Sequence, residues 1–249
     1  MQLTVLGGAG AWPDAGGACS GYLVVHDGFR LLVDPGYAVL PRLLELVPAT
    51  AVDAVFVSHG HPDHCADLNP LLRARALIDE PAPALPVYAL PGALDAVLAL
   101  DRPGMLDAAL DLHDLVPGER LEIGPPRADS KLLPHSRPNV GVRLVADGRT
   151  LAYTGDCGDP DPGGDVADLA READVFLAEA SFVDEVPEDS RTTLSSARQA
   201  ARSAAIGGAA RLVLTHLLPG VDPESARAAA ITTHAGQVDV PRPGLVVDV

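Results

Sequence analysis

A chain of 249 residues with 18 Lys and Arg against 34 Asp and Glu carries a formal charge of −16, which opposes a broad electrostatic grip on phosphate backbones and sets nucleic-acid binders aside. Apolar residues make up 47% of the chain but aromatic ones only 4%, so the expected core is built from Ala, Val and Leu, and disorder is excluded. The length can bury a large core and no linker divides it, so one domain over residues 1–249 is expected.

In chain order, Gln2 to Leu6 reads as a strand and leads into Gly7-Gly8-Ala9-Gly10-Ala11-Trp12-Pro13. That loop lacks the Lys-Ser/Thr of a phosphate-binding loop and the spacing of a dinucleotide fingerprint, so it is read as backbone geometry bordering a cleft. Strands Ser20 to His26 and Phe29 to Asp34 are joined by Asp27-Gly28, which favours a tight hairpin with positive φ. Asp34, before Pro35-Gly36 at a strand end, is placed to accept a hydrogen bond from a metal-binding His. A helix over Tyr37 to Val47 and a buried strand over Val52 to Val57 follow.

Helices are then expected over Leu68 to Ile78, Ala93 to Leu100 and Pro103 to Leu110, with a strand at Pro86 to Leu90 and a stiff connector at Pro81, Pro83 and Pro86. His113, between Asp111 and Asp114, reads as a surface residue, as do His26 and His234. From Arg120 the chain is β-rich, through Leu121 to Ile123, Lys131 to Leu133, Val140 to Val145 and Thr150 to Thr154, with a second hairpin signal at Asp147-Gly148. Helices at Asp165 to Arg171, Leu194 to Ala205 and Pro223 to Thr232 alternate with strands at Val175 to Ala178 and Arg211 to Thr215, and Leu245 to Val249 is a closing strand.

The chemistry is concentrated in Ser58-His59-Gly60-His61-Pro62-Asp63-His64, a ligand cluster at the end of the Val52 to Val57 strand. Imidazole nitrogen and carboxylate oxygen suit zinc and its first-row neighbours. His135, Asp156 and His216 each follow an apolar strand and precede a turn, where strand ends on one edge of a layered sheet present their side chains to a common cleft. Together these make five His and two carboxylates, enough for two cations with open positions. Two divalent cations about 3.5 to 4 Å apart can share a hydroxide and neutralise charge on substrate oxygens. Asp63, a ligand carboxylate beside that solvent, is the candidate catalytic residue.

The order His-x-His-x-Asp-His, then His, Asp and His, together with Leu6-Gly7-Gly8-Ala9-Gly10, Ser20-Gly21-Tyr22-Leu23, Ala178-Glu179-Ala180-Ser181-Phe182 and Leu214-Thr215-His216-Leu217, resembles the metallo-β-lactamase superfamily over nearly the whole chain. Within it the chain is most similar to the small ribonuclease Z and cyclic-nucleotide phosphodiesterase branch. The resemblance implies a single-domain α/β, four-layer αββα sandwich. It assigns His59, His61 and His135 to one cation, Asp63, His64 and His216 to the other, and Asp156 as the bridge. It also implies a hydrolase, because diiron members that reduce oxygen or nitric oxide typically carry Glu where His61 stands; the best-known zinc lactamases differ in carrying Cys where Asp156 stands, a mismatch the adjacent Cys157 does not mend.

Two departures narrow the expectation. The long Gly/Pro-rich arm with which the ribonuclease Z branch grips tRNA has no room between His135 and Asp156, and Thr193 stands where relatives place a His before Leu-Thr. Three consequences stay open: a substrate with a good leaving group, contact with the substrate by another residue such as Arg137 or Arg191, or weak activity. The expected function is a binuclear phosphodiesterase acting on a small phosphodiester. Acyl hydrolysis of a thioester, lactone or amide, or metal binding with little turnover, are the alternatives. The cofactors are two divalent metal ions, with Zn2+ the default and Mn2+ or Fe as alternatives. The partner is a small-molecule substrate rather than tRNA or a membrane, with a homodimer left open. Cys19, Cys65 and Cys157 are too few and too widely spaced for a disulfide framework, and Cys65 and Cys157 are read as packing residues. With no signal-like start and no membrane-length apolar run, a cytoplasmic location is expected.

Overall fold

A computed structural model of the protein describes residues 1–159, 161 and 163–249. One sheet contains Gln2–Gly7 (β1), Gly21–His26 (β2), Phe29–Val33 (β3), Ala54–Phe56 (β4), Leu85–Ala89 (β5), Leu110–Asp114 (β6) and, from the far end of the chain, Val246–Asp248 (β14). The other contains Arg120–Glu122 (β7), Arg127–Leu133 (β8), Asn139–Ala146 (β9), Arg149–Tyr153 (β10), Val175–Glu179 (β11), Arg211–Thr215 (β12) and Gln237–Asp239 (β13). The strand orders are β14-β1-β2-β3-β4-β5-β6 and β13-β12-β11-β10-β9-β8-β7.

The sheets pack face to face. Leu3, Val5, Tyr22, Val33 and Phe56 from the first meet Val140, Leu144, Leu151, Leu177 and Val213 from the second. Helices Val39–Leu44 (α1) and Leu68–Ala76 (α3) cover the outer face of the first sheet, on a Leu- and Val-rich core. Helices Asp165–Leu169 (α5), Ala197–Gly207 (α6) and Pro223–Ile231 (α7) cover the second. Alanines 197, 200, 201 and 204 form the buried face of α6, which lets that helix sit close to the sheet without aromatic filler. This is the four-layer sandwich expected from the sequence, and both hairpin signals hold: φ is 48° and 82° at Asp27-Gly28, and 50° and 74° at Asp147-Gly148.

Strand direction decides where the chemistry goes. β3 and β4 run parallel, as do β10, β11 and β12. β8 is antiparallel to β9, which is antiparallel to β10, so β8 points the same way as β10. The carboxyl ends of β8, β10, β11 and β12 therefore share one edge of their sheet.

Some expectations are corrected. Pro103 to Leu110 is not a helix: only a short 3-10 turn, Asp107–Ala109, precedes β6. The alternation Leu110-Asp111-Leu112-His113 has the two-residue period of a strand, and Pro103-Gly104 ends any helix before it begins. The Ala93 to Leu100 helix shortens to Asp95–Leu98 (α4). The edge strand β13 carried too little pattern to be expected at three residues. His26 and His234 are buried, not on the surface, whereas His113 is exposed and pairs with Asp111. Among the described residues, no helix is long and apolar enough to cross a membrane.

Candidate metal centre

β4 delivers Val57, Ser58 and His59 to the rim, and the chain turns through Gly60 into the one-turn helix Pro62–Cys65 (α2), with Pro62 at its first position. Proline there costs no hydrogen bond and fixes φ, so Asp63 and His64 are set immediately behind His61. The turn is braced by Gly36, whose Cα lies so near the Asp63 carbonyl that a Cβ would sit 1.9 Å from the oxygen. Asp34 and His216 both hold left-handed backbone, with φ of 50° and 55°. Such strain in non-glycine residues costs on the order of 1 kcal/mol or more and persists where the surroundings over-determine it.

All seven residues singled out from the sequence converge. His59 Nε2 and His135 Nε2 lie 3.0 and 3.1 Å from His61 Nδ1. His216 Nε2 lies 3.2 Å from Asp63 Oδ2 and 3.1 Å from Asp156 Oδ2, and His64 Nε2 lies 3.1 Å from Asp156 Oδ1. Two four-residue groups result, His59-His61-His135-Asp156 and Asp63-His64-Asp156-His216, and Asp156 is common to both. The resemblance implied Asp156 between two sets, and in the structure Asp156 belongs to both groups.

Four of the imidazoles have their outward nitrogen occupied. His64 Nδ1 is 2.7 Å from Asp34 Oδ2, and His135 Nδ1 is 2.6 Å from the Thr193 carbonyl. His59 Nδ1 meets Ser58 Oγ at 3.0 Å, and His216 Nδ1 meets Ser181 Oγ at 3.0 Å. Each hydroxyl spends its proton on a carboxylate, Ser58 on Asp34 and Ser181 on Glu179, both at 2.6 Å. Ser58, its proton given to the Asp34 carboxylate, is left to accept from the His59 ring. An N–H at Nδ1 turns Nε2 toward the cluster in all four, and that nitrogen has a lone pair to offer a metal whenever the ring is neutral.

Electrostatics agree. Burial and the charge of His64 push His59 well below its ordinary pKa, and burial and the charge of His135 do the same to His61. For His64, burial opposes the charged form but Asp156 and Asp34 outweigh it and hold the pKa well above the usual value. Burial would raise Asp156 and Asp63, yet the charges of His216 and His64 hold Asp156 far below the carboxylate range, and the His216 hydrogen bond with the His64 charge does so for Asp63. The carboxylates thus demand positive charge at this spot. His64 Nε2 and Asp156 Oδ1, both buried, face each other at 3.1 Å as an ion pair outside hydrogen-bond geometry. A buried carboxylate ringed by imidazole nitrogens is a donor set that fits a divalent cation.

Several supporting groups were not assigned a role from the sequence. Tyr153 donates to Asp34 Oδ2 at 2.6 Å, and the Ala11 N–H donates to Asp63 Oδ2 at 2.8 Å. Glu179 accepts from the backbone N–H groups of Cys157 and Ser195 as well as from Ser181, and burial with the nearby Asp156 charge pushes its pKa up to about 8. Ser58 had a usable signal in its place before His59; Glu179 and Ser181 stood only within a family motif. The expected roles of Asp34 and of the Gly-rich loop are met, since Gly10 packs its Cα against the His216 ring. Cys65 and Cys157 are free and buried, with burial raising both thiols, Cys65 to about 12. Arg137 is exposed and has no ion-pair or hydrogen-bond partner among the described residues, whereas Arg191 donates to the Val186 carbonyl. A third acidic group, His26 with Asp27 and Asp147, gathers at the two hairpin turns.

A β-lactamase superfamily domain model matches residues 29–217. The probable metallo-hydrolase YhfI of Bacillus subtilis is 30% identical over 99% of this chain and 99% of its own. A ribonuclease Z of Mycobacterium bovis is 28% identical over 96% of this chain and 95% of its own. The crystal structure of Bacillus subtilis YhfI, described as a metallo-β-lactamase fold protein, superposes with a TM-score of 0.88 at 29% identity, covering 99% of this chain and 98% of that one. The short form of human tRNase Z shares the fold, with a TM-score of 0.78 at 22% identity over 100% of this chain and 99% of that one.

Proposed function

The chain belongs to the β-lactamase superfamily domain family, and from that premise we propose that it is a metal-dependent hydrolase with two divalent cations, acting on a small phosphodiester. The observation that carries this reading is that Asp156 is shared by two groups of ligand-competent side chains, in which four of the five imidazoles have Nδ1 partnered outside and Nε2 turned inward. His59, His61 and His135 would hold one cation and Asp63, His64 and His216 the other, with Asp156 between. Bound there, such cations would supply an activated water at neutral pH and would neutralise charge on the phosphoryl oxygens. Zinc suits the donors, and manganese or iron would accept the same set.

The chain's own residues supply the rest. Asp34 and the Thr193 carbonyl fix the ring planes of His64 and His135. The Ala11 N–H and His216 hold Asp63 by Oδ2, leaving Oδ1 to orient the attacking water. Arg137, two residues beyond His135 and without a partner among the described residues, is the guanidinium available to a phosphoryl oxygen. Acyl hydrolysis is the second reading, favoured by Thr193: its hydroxyl is bonded to the Ser190 carbonyl, so it offers no proton to a leaving alkoxide, which a thiolate does not need. Purified protein loaded with zinc or manganese and assayed on bis(p-nitrophenyl) phosphate, a thioester and a lactone separates the two. Phosphodiester turnover that a chelator removes and metal restores is expected; turnover of the acyl compounds alone would overturn the first reading.

A further inference from the structure

We propose that the apolar cavity beside the metal turn receives a planar aromatic substituent of the substrate, so that the preferred esters carry an aryl or heteroaryl group next to the reacting anion. The inference rests on the hydrolase reading above. The cavity, of about 370 Å³, is walled by Tyr37, Pro62, Ala66, Val97 and Leu100. Its wall also includes Gly60, which alternates in sequence with His59 and His61, as Pro62 does with His61 and Asp63. Cavity and cluster are therefore two sides of one turn, and an ester reacting at the cluster has its substituent within reach of the cavity.

The placement of aromatic side chains identifies the occupant. The chain is only 4% aromatic. Among the large apolar side chains left exposed in the described residues, Trp12 and Tyr37 alone are aromatic, at 58% and 38% exposure. Each is one residue from a backbone contact with Asp63. Ala11 donates its N–H to the carboxylate at 2.8 Å, and Gly36 presses its Cα against the carbonyl. Two rings left in water beside a polar centre serve no core, but they offer faces on which another ring can stack. Arg137 completes the pattern: it stands two residues beyond His135, exposed and without a partner among the described residues, as a cation next in the chain to the cluster. An anion with a ring attached matches cation and wall together.

The test is calorimetric binding of phenylphosphonate and methylphosphonate to the metal-loaded protein, alongside fluorescence of Trp12, the chain's single tryptophan. Phenylphosphonate is expected to bind about tenfold more tightly, the order of gain from burying one ring after ordering costs, and to quench Trp12. Leu100→Asp and Tyr37→Ala should bring the affinity ratio close to one, and Leu112→Asp, on the exposed edge strand β6, should preserve it. Equal affinity for both phosphonates, or binding of neither, overturns the proposal. So does a Leu100→Asp protein that loses a dimer while keeping the ratio, because the cavity would then belong to a second copy. A ring preference abolished by Leu100→Asp in a protein that hydrolyses no ester would leave the subsite standing and remove the hydrolase reading. Turnover with equal affinities would do the reverse.

Discussion

His64 shows how much one side chain depends on its surroundings. Its Nδ1 is held by Asp34, which also takes hydrogen bonds from Ser58 and Tyr153. One buried carboxylate thus commits one ring and, through Ser58, a second ring at His59. Asp63 and His216 meet each other directly at the cluster, backed by the Ala11 N–H and by Ser181. Asp63→Ala and His216→Ala are expected to lower turnover by roughly 10²–10⁴-fold, whereas His113→Ala, on an exposed strand, should stay within a few-fold; steady-state kinetics on one ester decides. Thr193 is the informative position for gain. Its backbone carbonyl already serves His135, so Thr193→His keeps that bond and adds an imidazole. A rise in phosphodiesterase kcat on the order of 10²-fold would match the usual value of a positioned acid, and an unchanged rate would count against a missing proton donor.

Helix α6 backs the second sheet, and its start is a full capping box: Ser196 Oγ accepts from the Gln199 N–H, and the Gln199 side chain accepts from the Ser196 N–H. Ser196 Oγ also donates to the Asp184 carbonyl, tying the helix start to the loop after β11. Ser196→Ala should cost about 1 kcal/mol of unfolding free energy, read from urea denaturation. After α7, His234 lies buried with Nε2 unpaired among the described residues, and burial holds its pKa below the ordinary 6.5. A lowered folded-state pKa means that, below about pH 6.5, the unfolded chain takes up a proton that the folded chain refuses. Stability then falls as pH drops, and above that value the group contributes no slope. His234→Leu should flatten the acid side of the stability profile relative to the parent by at most one proton, about 1.4 kcal/mol per pH unit. Parallel profiles for the two proteins would contradict this.

For the molecule as a whole, charge and topology act on the same question. A charge of −16 repels polyanions at distances beyond any single contact. His135 and Asp156 are separated by little more than the β9–β10 hairpin, so no arm emerges there to grip a long RNA. Although a ribonuclease Z is among its relatives, this protein is expected to show no measurable affinity for tRNA at about 0.1 M salt, where the screening length is about 10 Å. Fluorescence anisotropy of labelled tRNA tests it, and saturable binding would show that charge at the cleft is not governed by the net value.

The sequence by itself determined which candidate ligands meet in one cluster. His59, His61, Asp63 and His64 are adjacent in the chain, and His135, Asp156 and His216 each follow a strand whose apolar run is plain. Local pattern suffices for such features, because a strand's end and a turn's chemistry are written in neighbouring residues. It did not determine which nitrogen each ring presents, since Asp34, Thr193 and Ser181 lie 30, 58 and 35 positions from the rings they hold. Nor did it determine the β6 and β13 edges, where short strands borrow their conformation from the strand beside them. The burial of His26 and His234 likewise follows from packing between distant segments. Tertiary structure decided these points because hydrogen-bond partners and burial depend on through-space neighbours that periodicity along the chain does not record.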